Sequence, residues 1–231
     1  DMIAVVAFGQ ILSKDILDIP HLGCINVHAS LLPKLRGAAP INWSIINGDE
    51  KTGITTMYMD EGLDTGDMII QKEIKIGEEE TAKALHDRLA TLGEETLIET
   101  IELIINGKAT RIKQNHDDAT YAPILTKATG KIDWSMDAVK IKNLIRGTYP
   151  WPGAYSYYDG AMVKIYDVDI IGEEPHSLDG GRIQEVSKDY FVVKCGKGCL
   201  RVKEIQFQNQ KRMSVEAYLR GHSIEEGKVL F

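Results

Sequence analysis

The sequence predicts two parts of different fold class, an α/β domain followed by a small β-barrel. Strand patterns alternate with amphipathic helices up to about residue 112, whereas residues 131–231 consist mostly of short strands separated by turns. Residues 113–130 lose hydrophobic periodicity, which predicts a linker. The expected organisation is therefore a domain at 1–112, a linker at 113–130 and a barrel domain at 131–231.

The first part opens on a continuous apolar run at 2–9, which predicts a strand buried on both faces. A second strand is expected at 24–28, before Pro33 and Gly37 interrupt the pattern. Further strands are predicted at 53–59 and 68–76, and helices at 39–47 and 81–106. Thr81 is the expected N-cap of the long second helix, whose apolar residues recur at helical spacing.

The second part is predicted to open with one short helix at 138–146. Five strands are then expected at 154–158, 163–171, 182–186, 190–194 and 200–206. Tyr158-Asp159-Gly160 and Gly196-Lys197-Gly198 are typical turn sequences between them. Short strands joined by tight turns favour a small barrel.

Composition indicates an ordinary globular protein, with 231 residues of which 43% are hydrophobic and 26% charged. No run approaches the roughly 18 apolar residues of a membrane helix, and no secretory leader is visible, so the cytoplasm is expected. Cys24, Cys195 and Cys199 are too few for a disulfide framework. Cys195 and Cys199 flank a turn and lack the second ligand pair that a structural zinc requires, so a hairpin with two thiols is expected.

Charge is distributed unevenly along the chain. The net charge is −7, and residues 131–231 hold 15 Lys and Arg against 14 Asp and Glu, which leaves −8 for residues 1–130. Local patches set the field that a polyanion meets, so the second part is the better candidate for binding nucleic acid. Candidate contacts there, or else solvated charges, are Lys140, Lys142, Arg146, Lys211 and Arg212.

An amide and an imidazole leave the same face of the second strand at its carboxyl end. Side chains alternate between faces, so Asn26 and His28 project to the same side. Ligands of open α/β sheets bind near such ends, and this pair could bind a developing oxyanion while a proton moves. An Asn-x-His pair at this position is more often only a strand end, so these residues alone leave both interpretations open.

Four acids crowd the loop between the strands predicted at 53–59 and 68–76. They are Asp60, Glu61, Asp64 and Asp67. A loop held between two strands can aim a catalytic carboxylate, but spacing alone does not choose among the four. The histidines other than His28 show no metal-ligand spacing, and no metal is expected; they are His21, His86, His116, His176 and His222.

The segment NVHASLLPKLRGAAPINW, which begins at Asn26, and MDEGLDTGDM, which begins at Met59, together resemble the folate-dependent formyltransferases. The resemblance is closest to the members that act on methionyl-tRNA, and it continues through GKIDW at 130–134, PWPGA at 150–154 and the tail at 211–221. It implies a Rossmann-like first domain and a barrel similar to the OB-fold. Members of this family carry a βαβ-rich segment before the first strand, so the chain is expected to lack an amino-terminal portion.

The resemblance implies formyl transfer from 10-formyltetrahydrofolate to the amino group of methionine on initiator methionyl-tRNA. Separately, a monomer is expected. In this mechanism Asn26 donates a hydrogen bond to the oxyanion, and His28 either donates a second one or transfers the proton. By resemblance, Asp64 orients or charges His28 and accepts the amine proton. Alternatives are a formyltransferase acting on a nucleotide-linked small amine, or a non-catalytic RNA-binding protein.

The resemblance also suggests folate contacts. Ser30, Leu31, Leu32 and Pro33 match the loop that borders folate, and residues 6–9 match a wall of the pterin pocket or else form a plain buried strand. Lys34 and Arg36 follow closely, and each is expected to be either a contact to an anionic group or a solvated surface charge.

Overall fold

The computed structural model describes residues 1–172 and 179–231, which form two compact units. The first unit contains residues 1–44 and 49–124, and the second contains residues 45–48 and 125–231. Each unit has its own sheet, with four strands in the first and six in the second. His176 lies outside the described residues.

The first unit is built on a mixed sheet of Rossmann-like character, as predicted. The strands are β1 (Ile3–Val6), β2 (Cys24–His28), β3 (Lys51–Tyr58) and β4 (Met68–Lys75), and the helices are α1 (Lys14–Leu17), α2 (Pro40–Ile46) and α3 (Ala82–Ile105). The strand order is β1-β2-β3-β4, in which β1 and β2 run parallel and the other pairs antiparallel. The parallel pair brings the carboxyl ends of β1 and β2 to one edge of the sheet.

Strand β1 is less buried among the described residues than the sequence predicts. Its residues alternate between half-buried and exposed, and Val6 is 59% exposed. The physical reason is that β1 is the edge strand of this sheet and pairs only with β2 among the described strands.

Helix α3 covers the sheet through a stripe of small and polar side chains as well as apolar ones. Thr81 caps it as predicted, accepting a hydrogen bond from Ala84 N. Thr100 is fully buried and shares a 2.7 Å hydrogen bond with Thr56 of β3. Apolar periodicity located the helix but did not show that hydroxyl groups help to hold it on the sheet.

The second unit is an antiparallel sheet that curls into a half-barrel, consistent with the predicted barrel. Its elements are α4 (Ala138–Gly147), β5 (Tyr155–Tyr158), β6 (Ala161–Ile171), β7 (Ile183–Val186), β8 (Phe191–Lys194), β9 (Cys199–Phe207), β10 (Met213–Ser214) and α5 (Val215–Leu219). The strand order is β5-β6-β9-β8-β7, with β10 paired to β9. All five predicted strands are present.

Tight turns join these strands where the sequence predicts them. Asp159 and Gly160 both have positive φ, at 47° and 81°, as a two-residue hairpin turn requires. The other turn lies between β8 and β9, where Cys195 N donates to Gly198 O at 3.0 Å. Cys195 and Cys199 flank it as free, buried thiols, and burial raises the pKa of Cys195 to about 12.

Candidate functional site

A cavity of about 760 Å³ opens in the first unit beside the carboxyl ends of β1 and β2. Residues 5–12 form one side, the start of α2 and residues 59, 60 and 62–64 form others, and α3 contributes residues between His86 and Leu97. Its lining is mostly apolar, and Asn26, His28 and Asp64 supply polar groups. This combination, in a volume of roughly 300–1,000 Å³, is typical of small-molecule sites.

The structure brings the three sequence-predicted catalytic side chains together. Asn26 Nδ2 donates to Asp64 Oδ1 at 3.3 Å, and His28 Nδ1 lies 3.6 Å from Asp64 Oδ2. The His28 side chain is 6% exposed and that of Asp64 is 11% exposed, so the histidine–carboxylate pair is shielded from bulk water. Strand alternation places Asn26 and His28 on one face, and a loop separated from Asn26 by 38 residues supplies the carboxylate.

A backbone carbonyl fixes the protonation pattern of His28. His28 Nε2 lies 2.9 Å from the carbonyl oxygen of Leu35. That oxygen can only accept, so this contact requires the hydrogen on Nε2. Nδ1, the nitrogen facing Asp64, is therefore the ring nitrogen that the Leu35 carbonyl does not engage.

Asp64 is distinguished from the neighbouring acids by its contacts. Its Oδ2 accepts a hydrogen bond from Gly37 N at 2.8 Å. Asp60 instead accepts from Gly62 N at 3.0 Å and from Thr65 Oγ1 at 2.6 Å, which are contacts within its own loop. The Asp67 carboxylate faces Arg111 at 3.6 Å. Of the three acids Asp60, Asp64 and Asp67, Asp64 is the one whose carboxylate contacts Asn26 and His28 in the part of the chain that the structure describes.

The backbone of the acidic loop is tightly constrained. Asp64 has φ of 52°, in the left-handed region that non-glycine residues rarely adopt. At Gly66, a Cβ atom would lie 1.8 Å from the carbonyl oxygen of Tyr58, so only glycine fits there. Two positions of this loop, Asp64 and Gly66, therefore hold backbone geometry that few other side chains would allow.

Two buried polar residues support this loop, and sequence reasoning missed both roles. Gln114 Nε2 donates to the carbonyl oxygens of Asp64 at 2.8 Å and Gly66 at 2.9 Å. Arg36 donates to Gln114 Oε1 from Nε at 3.1 Å and from Nη2 at 2.6 Å. Gln114 lies in the segment expected to be a linker, and no local pattern there signals its contacts.

Both interpretations offered for Arg36 are corrected by its burial. The side chain is 2% exposed, so it is neither a solvated charge nor an open contact for an anion. Its Nη2 also lies 3.2 Å from His116 Nδ1. Lys34 is exposed, and its two interpretations stay open.

The four residues predicted to contact folate do not line the cavity. Ser30 Oγ donates to Lys34 O at 2.6 Å, and Leu32 N donates to Thr55 Oγ1 at 3.2 Å. These bonds organise the loop of Ser30, Leu31, Leu32 and Pro33 internally, and its folate contacts stay a prediction. Residues 6–9 do line the cavity.

The described residues hold no group of three or more His, Cys, Asp or Glu side chains that could bind a metal ion. His86 borders the cavity, where its Nδ1 lies 3.2 Å from Asp87 Oδ1. None of the helices in residues 1–172 and 179–231 combines the length and the apolar character needed to cross a bilayer.

In the second unit, the candidate nucleic-acid contacts differ in their surroundings. Lys140 on α4 and Lys211 before β10 are exposed. Arg212 is held by an ion pair to Glu204 and lies over the ring of Tyr166, with 4.3 Å from its Cζ to the ring centroid. The two exposed lysines are thus better placed than Arg212 to meet a phosphate.

Comparison with known proteins assigns both halves of the chain to related families. Residues 1–101 match the model described as formyl transferase, and residues 124–223 match the formyl transferase C-terminal domain. A curated protein of Alkaliphilus oremlandii named methionyl-tRNA formyltransferase is 58% identical over 230 residues, which is 100% of this chain and 74% of the relative. One of the same name from Clostridioides difficile is 55% identical, with the same coverage.

A solved structure resembles the chain in fold. HypX from Aquifex aeolicus, determined in complex with tetrahydrofolic acid, aligns with a TM-score of 0.68 at 15% identity. The alignment covers 99% of this chain and 42% of HypX. At this level of identity the likeness concerns the fold alone.

Proposed function

Because this chain belongs to the formyl transferase family, we propose that it formylates the amino group of methionine on initiator methionyl-tRNA, with Asn26, His28 and Asp64 as its catalytic residues. The chain is a one-carbon transferase, and its formyl donor is 10-formyltetrahydrofolate. The single observation that carries the catalytic assignment is the convergence of an amide, an imidazole and a carboxylate at one cavity.

The cavity suits a donor of this kind. Tetrahydrofolate presents a flat ring system, and a mostly apolar cavity of about 760 Å³ has room for such a group beside the polar cluster. Residues 6–9 and Leu97 supply apolar surface there. We propose that this surface holds the donor so that the formyl carbon faces Asn26 and His28.

The reaction exchanges one C–N bond for another. The methionine amine attacks the formyl carbon, the bond from that carbon to the donor nitrogen breaks, and one amine proton moves to the donor nitrogen. The carbonyl oxygen gains negative charge on the way, and Asn26 Nδ2 is the proposed donor to that oxygen. Such a donor contributes on the order of 3 kcal/mol when it is preorganised.

His28 is proposed to carry the proton. Its Nε2 is committed to the Leu35 carbonyl, so Nδ1 takes the proton from the amine and returns it to the departing nitrogen. While Nδ1 is protonated, the nearby Asp64 carboxylate stabilises the imidazolium charge. No covalent enzyme intermediate is needed.

The alternative acceptors are less well supported. The named relatives at 58% and 55% identity cover the whole chain, including the second unit, and both are methionyl-tRNA formyltransferases. We propose that the second unit binds the tRNA, with Lys140 and Lys211 among its phosphate contacts. The proposed compartment is the cytoplasm, and the monomeric state stays a prediction.

The test is a formylation assay on the full-length gene product with 10-formyltetrahydrofolate and three acceptors: initiator methionyl-tRNA, glycinamide ribonucleotide and an amino-sugar nucleotide. Formylation of methionyl-tRNA alone is expected. Turnover of either small amine with no turnover of methionyl-tRNA would contradict the proposal.

A second measurement tests the tRNA contacts. Each lost phosphate contact lowers the slope of log affinity against log salt by about 0.7–0.9, so Lys140→Ala with Lys211→Ala is expected to lower it by about 1.5. Lys83→Ala is the control, because Lys83 is paired with Asp87 on α3 of the first unit. An unchanged slope in the double variant would remove both lysines from the proposed interface.

A further inference from the structure

The conformation of Asp64 needs support from outside its own loop. Its left-handed backbone costs aspartate less than it would cost most residues, but contacts to the backbone still help to hold it. The side-chain contacts to Asn26 and Gly37 position the carboxylate, but they do not bind the Asp64 carbonyl. That carbonyl, and the one at Gly66, both accept from Gln114.

Gln114 can bind in only one orientation here. Arg36 presents only N–H donors, and the carbonyls of Asp64 and Gly66 present only acceptors. The Gln114 oxygen must therefore face Arg36 and its nitrogen must face the two carbonyls. A carboxylate could satisfy the arginine but not the carbonyls, and an apolar side chain could satisfy neither.

Arg36 lies where a charged group is costly to bury. Its side chain is 2% exposed, and in the part of the chain that the structure describes it forms no ion pair. Two of its donors instead converge on one oxygen, Gln114 Oε1. Such an arrangement fixes the plane of the Gln114 amide, and hence the direction of its N–H groups.

We propose that Gln114 is a positioning residue for Asp64, and that the buried Arg36 orients the Gln114 amide for this role. Gln114 is absent from the cavity lining, so its effect on turnover passes through the 64–66 backbone. The inference rests on the proposed function, because it assumes that Asp64 acts in formyl transfer.

The decisive variant is Gln114→Glu, which keeps an acceptor for Arg36 but offers no donor to the two carbonyls. We expect kcat for methionyl-tRNA formylation to fall about 10- to 100-fold, because small displacements of a catalytic group have effects of this size. KM for either substrate is expected to change by less than about threefold, since Gln114 does not line the cavity. Trp43→Phe is the control, because it removes a 2.8 Å hydrogen bond from Trp43 Nε1 to Pro123 O. That bond holds the segment at 113–124 at a point away from Gln114, so kcat should not change.

A double-mutant cycle separates positioning from general support of the fold. If Gln114 acts through Asp64, Gln114→Glu should cost little further activity in an Asp64→Asn background. Equal losses in both backgrounds, or wild-type kcat in Gln114→Glu alone, would overturn the inference. Should Gln114→Glu fail to fold, Arg36→Lys takes its place, because one ammonium cannot reproduce the two hydrogen bonds from Arg36 to Gln114 Oε1. Equal losses in both backgrounds, or wild-type kcat in Arg36→Lys alone, would then overturn the inference.

The two proposals fail in different ways. A wild-type protein that does not formylate methionyl-tRNA would overturn the proposed function. An active wild-type protein with an equally active Gln114→Glu variant would overturn only the role of Gln114.

Discussion

The backbone N–H of Gly37 donates a 2.8 Å hydrogen bond to Asp64 Oδ2, the same oxygen that faces His28 Nδ1 at 3.6 Å. The loop after β2 therefore meets the acidic loop at the Asp64 oxygen that faces the His28 ring. Gly37 follows Arg36, whose side chain holds Gln114, so the Arg36-Gly37 segment contacts Asp64 directly and through Gln114. The charge of Asp64 can be removed without removing an acceptor for Gly37.

Asp64→Asn is expected to lower kcat by about 10²–10⁴-fold while the protein stays folded. Asparagine can still accept from Gly37, but it carries no charge to stabilise a protonated His28. Steady-state kinetics with both substrates measure the loss. Asp67→Asn is the matched control in the same loop, since Asp67 faces Arg111 rather than His28. Equal losses of kcat in the two variants would show that the loss comes from disturbing the loop and not from removing the Asp64 charge.

Asn26→Ala is expected to lower kcat by about 10²–10³-fold, because it removes a donor to the developing oxyanion. Folate affinity, measured by equilibrium binding, should change little, since the donor acts mainly in the transition state. The double variant with Asp64→Asn should lose much less than the product of the single losses, because the residues act as a unit. Turnover close to wild type in Asn26→Ala would refute its role.

Gly66→Ala is expected to destabilise the first unit by about 1–3 kcal/mol or more, because the new Cβ would overlap the Tyr58 carbonyl. Tyr58 N donates to Asp67 O, so hydrogen exchange at this amide should accelerate. Gly221→Ala is the control, since nothing lies within 4 Å of a Cβ there, and its effect should stay within about 0.5 kcal/mol. Unchanged hydrogen exchange at Tyr58 would mean that the loop accommodates the new Cβ without losing stability.

Cys195 should resist alkylation in the folded protein. Burial is the main cause that raises the pKa of its thiol to about 12, so little of the reactive thiolate exists at pH 8. Mass spectrometry after iodoacetamide treatment should find it labelled only in denaturant. In the unfolded chain a thiol ionises near pH 8.5, so the stability of the second unit should fall as pH rises from about 8.5 toward 12. Cys195→Ala should flatten that decline, and rapid labelling of the folded protein would contradict the burial.

Local patterns predicted the elements that carry the site, because alternation and helical periodicity depend on neighbours in sequence. Strand β2 places Asn26 and His28 on one face by its geometry alone. The burial of β1 could not be predicted in the same way, since burial depends on which strands flank it in the sheet. The turn at Asp159 and Gly160 was predictable because positive φ selects residue types directly.

Contacts that depend on distant segments were not predictable from pattern. Arg36 and Gln114 are separated by 78 residues, and Gln114 and Asp64 by 50. Neither residue type signals burial, because arginine and glutamine are mostly exposed in proteins. The contact between His28 and the Leu35 carbonyl was equally unpredictable. The orientation of that carbonyl follows from a backbone φ of 59° at Leu35, a value that leucine usually avoids.

The position of Gln114 also has a consequence for synthesis on the ribosome. Asn26, His28 and Asp64 all emerge before it, so a nascent chain can form β2 and the acidic loop while Gln114 is still absent. Until Gln114 arrives, the buried guanidinium of Arg36 and the carbonyls of Asp64 and Gly66 lack the partner they share in the finished protein. We therefore expect the proposed catalytic centre to become fully ordered only after the segment at 113–124 has been translated.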